Sequence, residues 1–186
     1  NTLFAPAATL VAWIVLDLVR ARKATAIGAA TAIIVGADAI TPAAGYVSPL
    51  GALGLGLLAA IPSYVFIVWR PRTRLDESLD VLAAHGLGGV TGILFIGLFA
   101  AKAWNGIGNG LLYGDAHRLG WQALAVAVTC AYAFGATYVI LRGIGLFTSL
   151  RVSERDEGLG LDVSQHGEEA YTSGEGAILV RLTDGA

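Results

Sequence analysis

"ATAIGAATAIIVGADAITPAAGYVSPLGALGLGLLAAIPSYVFIVW", Ala24 to Trp69, runs for 46 residues with one charged side chain, Asp38. An ionised group at the centre of a bilayer costs roughly 2.5–3.5 kcal/mol on insertion scales, so long uncharged stretches are read as membrane spans. This stretch is long enough for two helices and a connection, because one helix needs about 20 residues to cross the hydrocarbon core. "TPAAGYVSP" (Thr41 to Pro49), with two prolines and a glycine, is where the first helix must stop and the second begin.

The rest of the chain follows the same rule. Hydrophobic residues make up 55% and charged residues 14% of the 186, with a mean hydropathy of +0.67, which is too apolar for an ordinary soluble domain. Charge gaps also mark Asn1 to Leu16, Val81 to Ala101 and Leu119 to Leu141. The sequence thus predicts an all-α integral membrane protein with five helices over about 2–19, 24–40, 50–69, 79–101 and 119–146. Residues 1–147 form the membrane part and 148–186 a tail. The chain opens at Asn1 without a charged segment before its first apolar run, so that run is not expected to be a signal peptide and resembles the middle of something longer.

Basic residues set the expected orientation, since they stay on the cytoplasmic side of short loops. "RARK" (Arg20 to Lys23), "RPRTR" (Arg70 to Arg74) and the set Arg142, Arg151 and Arg155 hold three each, nine in all. The opposite connections hold none (Thr41 to Pro49) and two (Lys102 to Arg118). The first helix therefore enters from outside and the tail is cytoplasmic, in a multi-pass protein of the cell membrane. The net charge of −2 conceals an asymmetry: residues 151–186 carry eight acids against three arginines, −5, which leaves the remainder at +3. Trp69, Trp104 and Trp121 fall near expected span ends, where indoles sit among headgroups; Trp13 does not.

Glycine is abundant, with 25 residues, many inside the spans. Gly88 and Gly92 form a GxxxG pair, the spacing that lets helix backbones approach in lipid. "GLGGVTG" superficially looks like a dinucleotide-binding loop, but that fingerprint lies between a strand and a helix and this one lies inside an apolar helix. No nucleophile elbow, phosphate loop or metal-ligand spacing is present, so neither an enzyme, a cofactor, a metal site nor nucleic-acid binding is expected. Cys130, the single cysteine, reads as a small hydrophobe.

"DESLDVLAAHGLGG" (Asp76 to Gly89) holds the residues with most chemical content. Asp76, Glu77 and Asp80 precede an apolar helix, where its N-terminus favours negative charge. His85 then falls within the apolar run. A lone histidine on such a face is either a satisfied core residue or a group that handles protons. Asp80, five positions earlier, is either a helix-start carboxylate or a wall residue of a vestibule.

"ITPAAGYVSPLGAL" (Ile40 to Leu53), "DESLDVLAAHGLGG", "NGLLYG" (Asn109 to Gly114) and "LRVSERDEGLGLDVSQHGEEAY" (Leu150 to Tyr171) occur in an order and spacing that resemble the ammonium transporters of the Amt/Rh superfamily. The resemblance implies an eleven-helix subunit built from two inverted five-helix repeats plus a final helix, assembled as a homotrimer with a narrow pore through each subunit. This chain looks like helices seven to eleven, and the N-terminal half of the subunit would complete the pore. His85 matches the second ring of the family's twin-histidine pair. Thr31 matches a hydroxyl position near the cytoplasmic mouth, with a hydroxyl bonded to its own helix as the alternative. Ammonium and ammonia would be the substrate and membrane lipid the surroundings.

Three positions depart from the family pattern: Glu77 stands where aspartate is usual, Ala24 where a proline is usual, and Asp38 where relatives have an aliphatic residue. By depth, Asp38 reads as a carboxylate snorkelling to the outer interface, over a role in attracting cations. In the tail, Gly160, Leu161, Asp162, His166, Gly167, Glu168 and Tyr171 match a core that in the family couples neighbouring subunits and helps PII-type signalling proteins close the pore. The alternative there is a solvated charged tail. A sensor or signalling subunit on the same scaffold is the second functional class, expected to carry a kinase or cyclase module in place of this tail.

Overall fold

A computed structural model describes residues 1–168, and the described residues are helical without strands. They fall into two compact units divided at Ala131 and Tyr132. In the first, α1 (Phe4–Ala21), α2 (Ala26–Ile40), α3 (Pro49–Trp69) and α4 (Gly88–Phe99) follow one another, with one π-helical segment, Leu82–Leu87, leading into α4. The short α5 (Lys102–Asn105) precedes α6 (Ala116–Ile144), and α7 (Glu154–Leu159) lies in the second unit.

The starts and stops have local causes. Thr25 caps α2 by accepting the Gly28 N–H at 3.0 Å, and Ser48 does the same for Gly51 at the start of α3, with Pro49 in the first turn. α1 ends where Arg22 turns left-handed at φ 58°, its N–H bonded to the Leu18 carbonyl.

Helices of this core touch through small residues. Ala5, Ala32, Ala39, Ala52, Ala59, Ala60 and Ala83 are fully buried. A Cβ added to Gly56 of α3 would lie 2.2 Å from the Ala5 carbonyl oxygen of α1, so only glycine allows that approach. Thr9, also fully buried, donates its hydroxyl to the carbonyls of both Ala5 and Gly56, each at 2.9 Å, which ties α1 to α3. Matched contacts at Ala5–Gly56 and Trp13–Tyr64 make α1 and α3 run in the same direction. Contacts of α2 with Pro6 near its end and Asp17 near its start make α2 antiparallel to α1.

Trp13, away from any expected interface, is 3% exposed because it packs edge-on against Tyr64, ring centroids 5.1 Å apart. The Asn1 side-chain amide donates to the carbonyls of Ala44 and Val47, and Ala101 N–H to Tyr46 O, so the Thr41 to Pro49 connection and the start of the one that follows α4 meet at one end of the bundle. Asp17, Arg20, Arg70 and Asp80 gather at the other.

Among the described residues four helices are long and apolar enough to cross a membrane: Phe4–Ala21, Pro49–Arg72, Leu82–Phe99 and Ala116–Ile144. The fifth apolar helix, α2, has 15 residues, about 22 Å at 1.5 Å per residue, shorter than the hydrocarbon core. The chain continues beyond it through the turns of Thr41 to Ser48.

In the second unit Ser153 caps α7 by accepting the Asp156 N–H at 3.1 Å, and Arg151 pairs with Glu157 at 2.9 Å. Gly160 then takes φ +93°, in the left-handed region that side chains avoid. A π-helical turn, Asp162–His166, follows and closes on Gly167 at φ +70°. The Glu168 N–H returns to the Asp162 carbonyl at 3.2 Å. Tyr171 lies outside the described residues.

Candidate functional site

His85 is carried by the π-helical segment Leu82–Leu87, which inserts an extra residue into the turn and re-aims the side chains on it. Upstream, the Glu77 carboxylate accepts the Leu82 N–H, so one acid of the triplet binds the helix start directly. Asp76 lies in the same irregular segment.

Asp80 is placed differently from its expected position along a continuous helix. Its backbone is left-handed at φ 53°, and the helical run begins after it. Aspartate is among the few residues that tolerate this conformation. Its carboxylate pairs with the Arg70 guanidinium at 2.9 Å, both side chains mostly covered at 22% and 18% exposure. Asp80 and Thr31 line one cavity of about 260 Å³ together with Trp13, Asp17, Arg20 and Tyr64. Within it the Tyr64 hydroxyl donates to Asp17 at 3.0 Å.

His85 does not open into that cavity. It lines a second one of about 180 Å³ between the π segment, α4 and α6, whose walls include Gly89, Ile93, Val126 and Thr129. The structure therefore brings Asp80 and Thr31 together and holds His85 apart, in more apolar surroundings.

Asp38 is the residue the sequence reading misplaced. Its carboxylate does not snorkel outward; Oδ2 lies 2.6 Å from His85 Nδ1, and the side chain is 28% exposed. The cause is the fit of α2 on α4. A Cβ on Gly92 would stand 2.0 Å from the Ala39 carbonyl oxygen, and one on Gly88 would stand 3.2 Å from that of Val35. Two contacts four residues apart on both helices make them parallel neighbours in a fixed register. Asp38, one residue before Ala39, then faces His85, one turn before Gly88. Its signal in the sequence was its isolation as the one charge in 46 residues.

Such a site can hold and orient an imidazole. A neutral ring donates from one nitrogen and accepts at the other, so it can pass a proton or hold an uncharged amine without remaining charged.

Comparison with known proteins gives a consistent answer. The model of the Ammonium Transporter Family matches residues 1–171. The chain is 39% identical over 173 residues to an ammonium transporter of Bacillus subtilis, covering 92% of this chain and 43% of that protein. It is 42% identical over 160 residues to ammonium transporter Amt1 of Archaeoglobus fulgidus, covering 86% and 40%. Among solved structures it is similar to Candida albicans Mep2, with a TM-score of 0.77 at 30% identity over 84% of this chain and 36% of that one. A sensor Amt protein matches at TM-score 0.77 and 29% identity, over 89% and 40%. The chain thus spans about two fifths of the length of the curated relatives it matches.

Proposed function

The chain belongs to the ammonium transporter family, and on that premise we propose that the complete protein conducts ammonium across the cell membrane through a pore to which this chain contributes His85. The observation that carries the reading is His85 itself, set by a π-helical segment into an apolar cavity within a chain that matches the family over 171 of its residues. Bare ammonium pays a large desolvation penalty in a narrow apolar conduit. Splitting it into ammonia and a relayed proton avoids that cost and requires a titratable ring such as His85. By the family resemblance, a second histidine from the N-terminal half completes the pair and three subunits assemble.

The end of the bundle that holds Arg20, Arg70, Asp80 and Asp17 is the cytoplasmic one on this reading, and the cavity of Asp80 and Thr31 is the inner mouth. Gly160, Leu161, Asp162, His166, Gly167, Glu168 and Tyr171 belong to a cytoplasmic tail that couples subunits and offers a surface to a PII-type protein. Likeness to a sensor Amt protein does not favour a signalling role, since the transporter Mep2 matches equally well.

The test is ammonium-evoked current in liposomes holding the complete protein. His85→Ala should abolish the current while the trimer assembles and keeps most of its thermal stability. A purely structural histidine gives the opposite pattern, loss of stability without a selective transport defect.

A further inference from the structure

The cavity of about 260 Å³ at the charged end of the bundle holds more than Asp80 and Thr31. Where α1 meets the start of α2, Gly28 has no side chain, and three polar atoms face the space this leaves. A Cβ on Gly28 would stand 2.7 Å from Thr25 Oγ1 and 3.1 Å from both Trp13 Nε1 and Asp17 Oδ2. These are hydrogen-bonding distances to a single point. All four residues line the cavity.

The atoms around that point have bonding capacity to spare. Trp13 is 3% exposed, and among the described residues nothing accepts its Nε1–H. A buried indole N–H usually finds a partner, so this one is aimed at something the cavity receives. Asp17 gives Oδ1 to the Tyr64 hydroxyl at 3.0 Å and keeps Oδ2 for the space beside Gly28. Thr25 Oγ1 accepts the Gly28 N–H at 3.0 Å, and its own proton turns either way.

A ligand in that space must accept from an indole N–H and donate to a carboxylate at once. Ammonium has N–H donors and no lone pair, so it cannot accept from Trp13. Ammonia carries both a lone pair and N–H groups. We propose that the space beside Gly28 is a site for uncharged ammonia at the inner mouth, with Trp13 Nε1 donating to its lone pair and Asp17 Oδ2 accepting one of its N–H groups. No proton changes hands there. The inference rests on the pore reading, which delivers ammonia to this end of the bundle, and adds residues that reading does not use.

The experiment uses the complete protein in detergent, labelled with ¹⁵N-tryptophan for NMR. The Trp13 indole signal is assigned by its loss in Trp13→Phe, which keeps a ring against Tyr64. Ammonium chloride should shift that signal saturably, and potassium chloride at the same ionic strength should not. Between about pH 7 and pH 8 the ammonia share of total ammonium rises about tenfold, so the midpoint in total ammonium should fall by that factor. Spectra without ammonium at both pH values remove any contribution from the cavity's own titratable groups, Asp17, Arg20, Tyr64 and Asp80. Gly28→Ala puts a methyl group on the point and should erase the shift; position 28 lies in a helix, so alanine strains no backbone there. Asp17→Asn keeps an acceptor for Tyr64 and removes the charge, which should raise the midpoint roughly fivefold or more, the difference between a charged and a neutral acceptor.

An equal shift with potassium chloride, or a midpoint that stays fixed between the two pH values, makes this a cation site and overturns the proposal. A wild-type signal unmoved by ammonium leaves only water there and overturns it too, as does a shift that survives in an assembled Gly28→Ala. If Gly28→Ala does not assemble, an unchanged midpoint in Asp17→Asn is decisive against it. Failure of the pore reading shows separately, as current retained in His85→Ala while the Trp13 signal still responds to ammonium.

Discussion

Gly92 of α4 lies against Ala39 of α2 so closely that a Cβ on the glycine would stand 2.0 Å from the alanine carbonyl oxygen. No side chain fits there without separating the two backbones. Overpacking of a close contact costs about 1–3 kcal/mol. Gly92→Val should therefore lower the melting temperature of the complete protein in detergent. It should also weaken transport, because the same contact fixes the helix that continues from His85. A melting temperature equal to wild type would mean that α2 and α4 are not in this register.

Thr9 makes the corresponding link between α1 and α3 by a hydroxyl rather than by a missing side chain. It is fully buried and donates to both the Ala5 and Gly56 carbonyls. Polar contacts between helices in membranes average about 0.6 kcal/mol. Thr9→Val keeps the shape and removes the donor, so we expect a small loss of thermal stability of that order with transport retained; a drop as severe as that of Gly92→Val would show that the hydroxyl does more than bridge two carbonyls.

The Arg70–Asp80 pair closes the charged end of the bundle at 2.9 Å, with Asp80 in a left-handed backbone. Asparagine tolerates that conformation, so Asp80→Asn tests the charge without straining the chain. In a double-mutant cycle with Arg70→Gln, partners in contact show coupling of about 0.5–3 kcal/mol. Thermal denaturation of the four proteins should reveal that coupling. Strictly additive losses would place the two groups apart in the assembled protein.

Gly160 stands at φ +93°, and a Cβ there would also approach the Asp162 carboxylate at 2.6 Å. Gly160→Val should disrupt the turn between α7 and the Asp162–His166 segment while leaving the membrane helices folded. On the coupling role proposed for the tail, ammonium uptake by the complete protein should fall with the trimer intact on size exclusion. Uptake at the wild-type level would assign the tail to solvent.

Much of this protein was legible from one-dimensional patterns, because the physics behind them is local. The cost of charge in lipid outlines the apolar helices, and Asp38 stands out as the one charged residue between Ala24 and Trp69. The spacing of Gly88 and Gly92 announced a close helix contact, which α2 supplies. Family motifs singled out His85 and the tail glycine at 160. Its φ of +93° supplies a physical reason for glycine at that position.

What the chain's order could not reveal was which face of each helix meets which neighbour. Depth along a span follows from counting residues, but rotation about the helix axis is set by how the glycine and alanine surfaces interlock and by the π-helical insertion at Leu82–Leu87. Asp38 was misplaced for that reason: its depth suggested the outer interface, whereas the Val35–Gly88 and Ala39–Gly92 contacts rotate it onto a ring 47 positions away in the chain. Asp80 was likewise counted along a helix that begins only after it, and a single left-handed residue redirected its carboxylate to Arg70. Local propensity and the membrane's penalty for charge decided where the helices are. Tertiary packing alone decided that the one charged residue between Ala24 and Trp69 lies against His85.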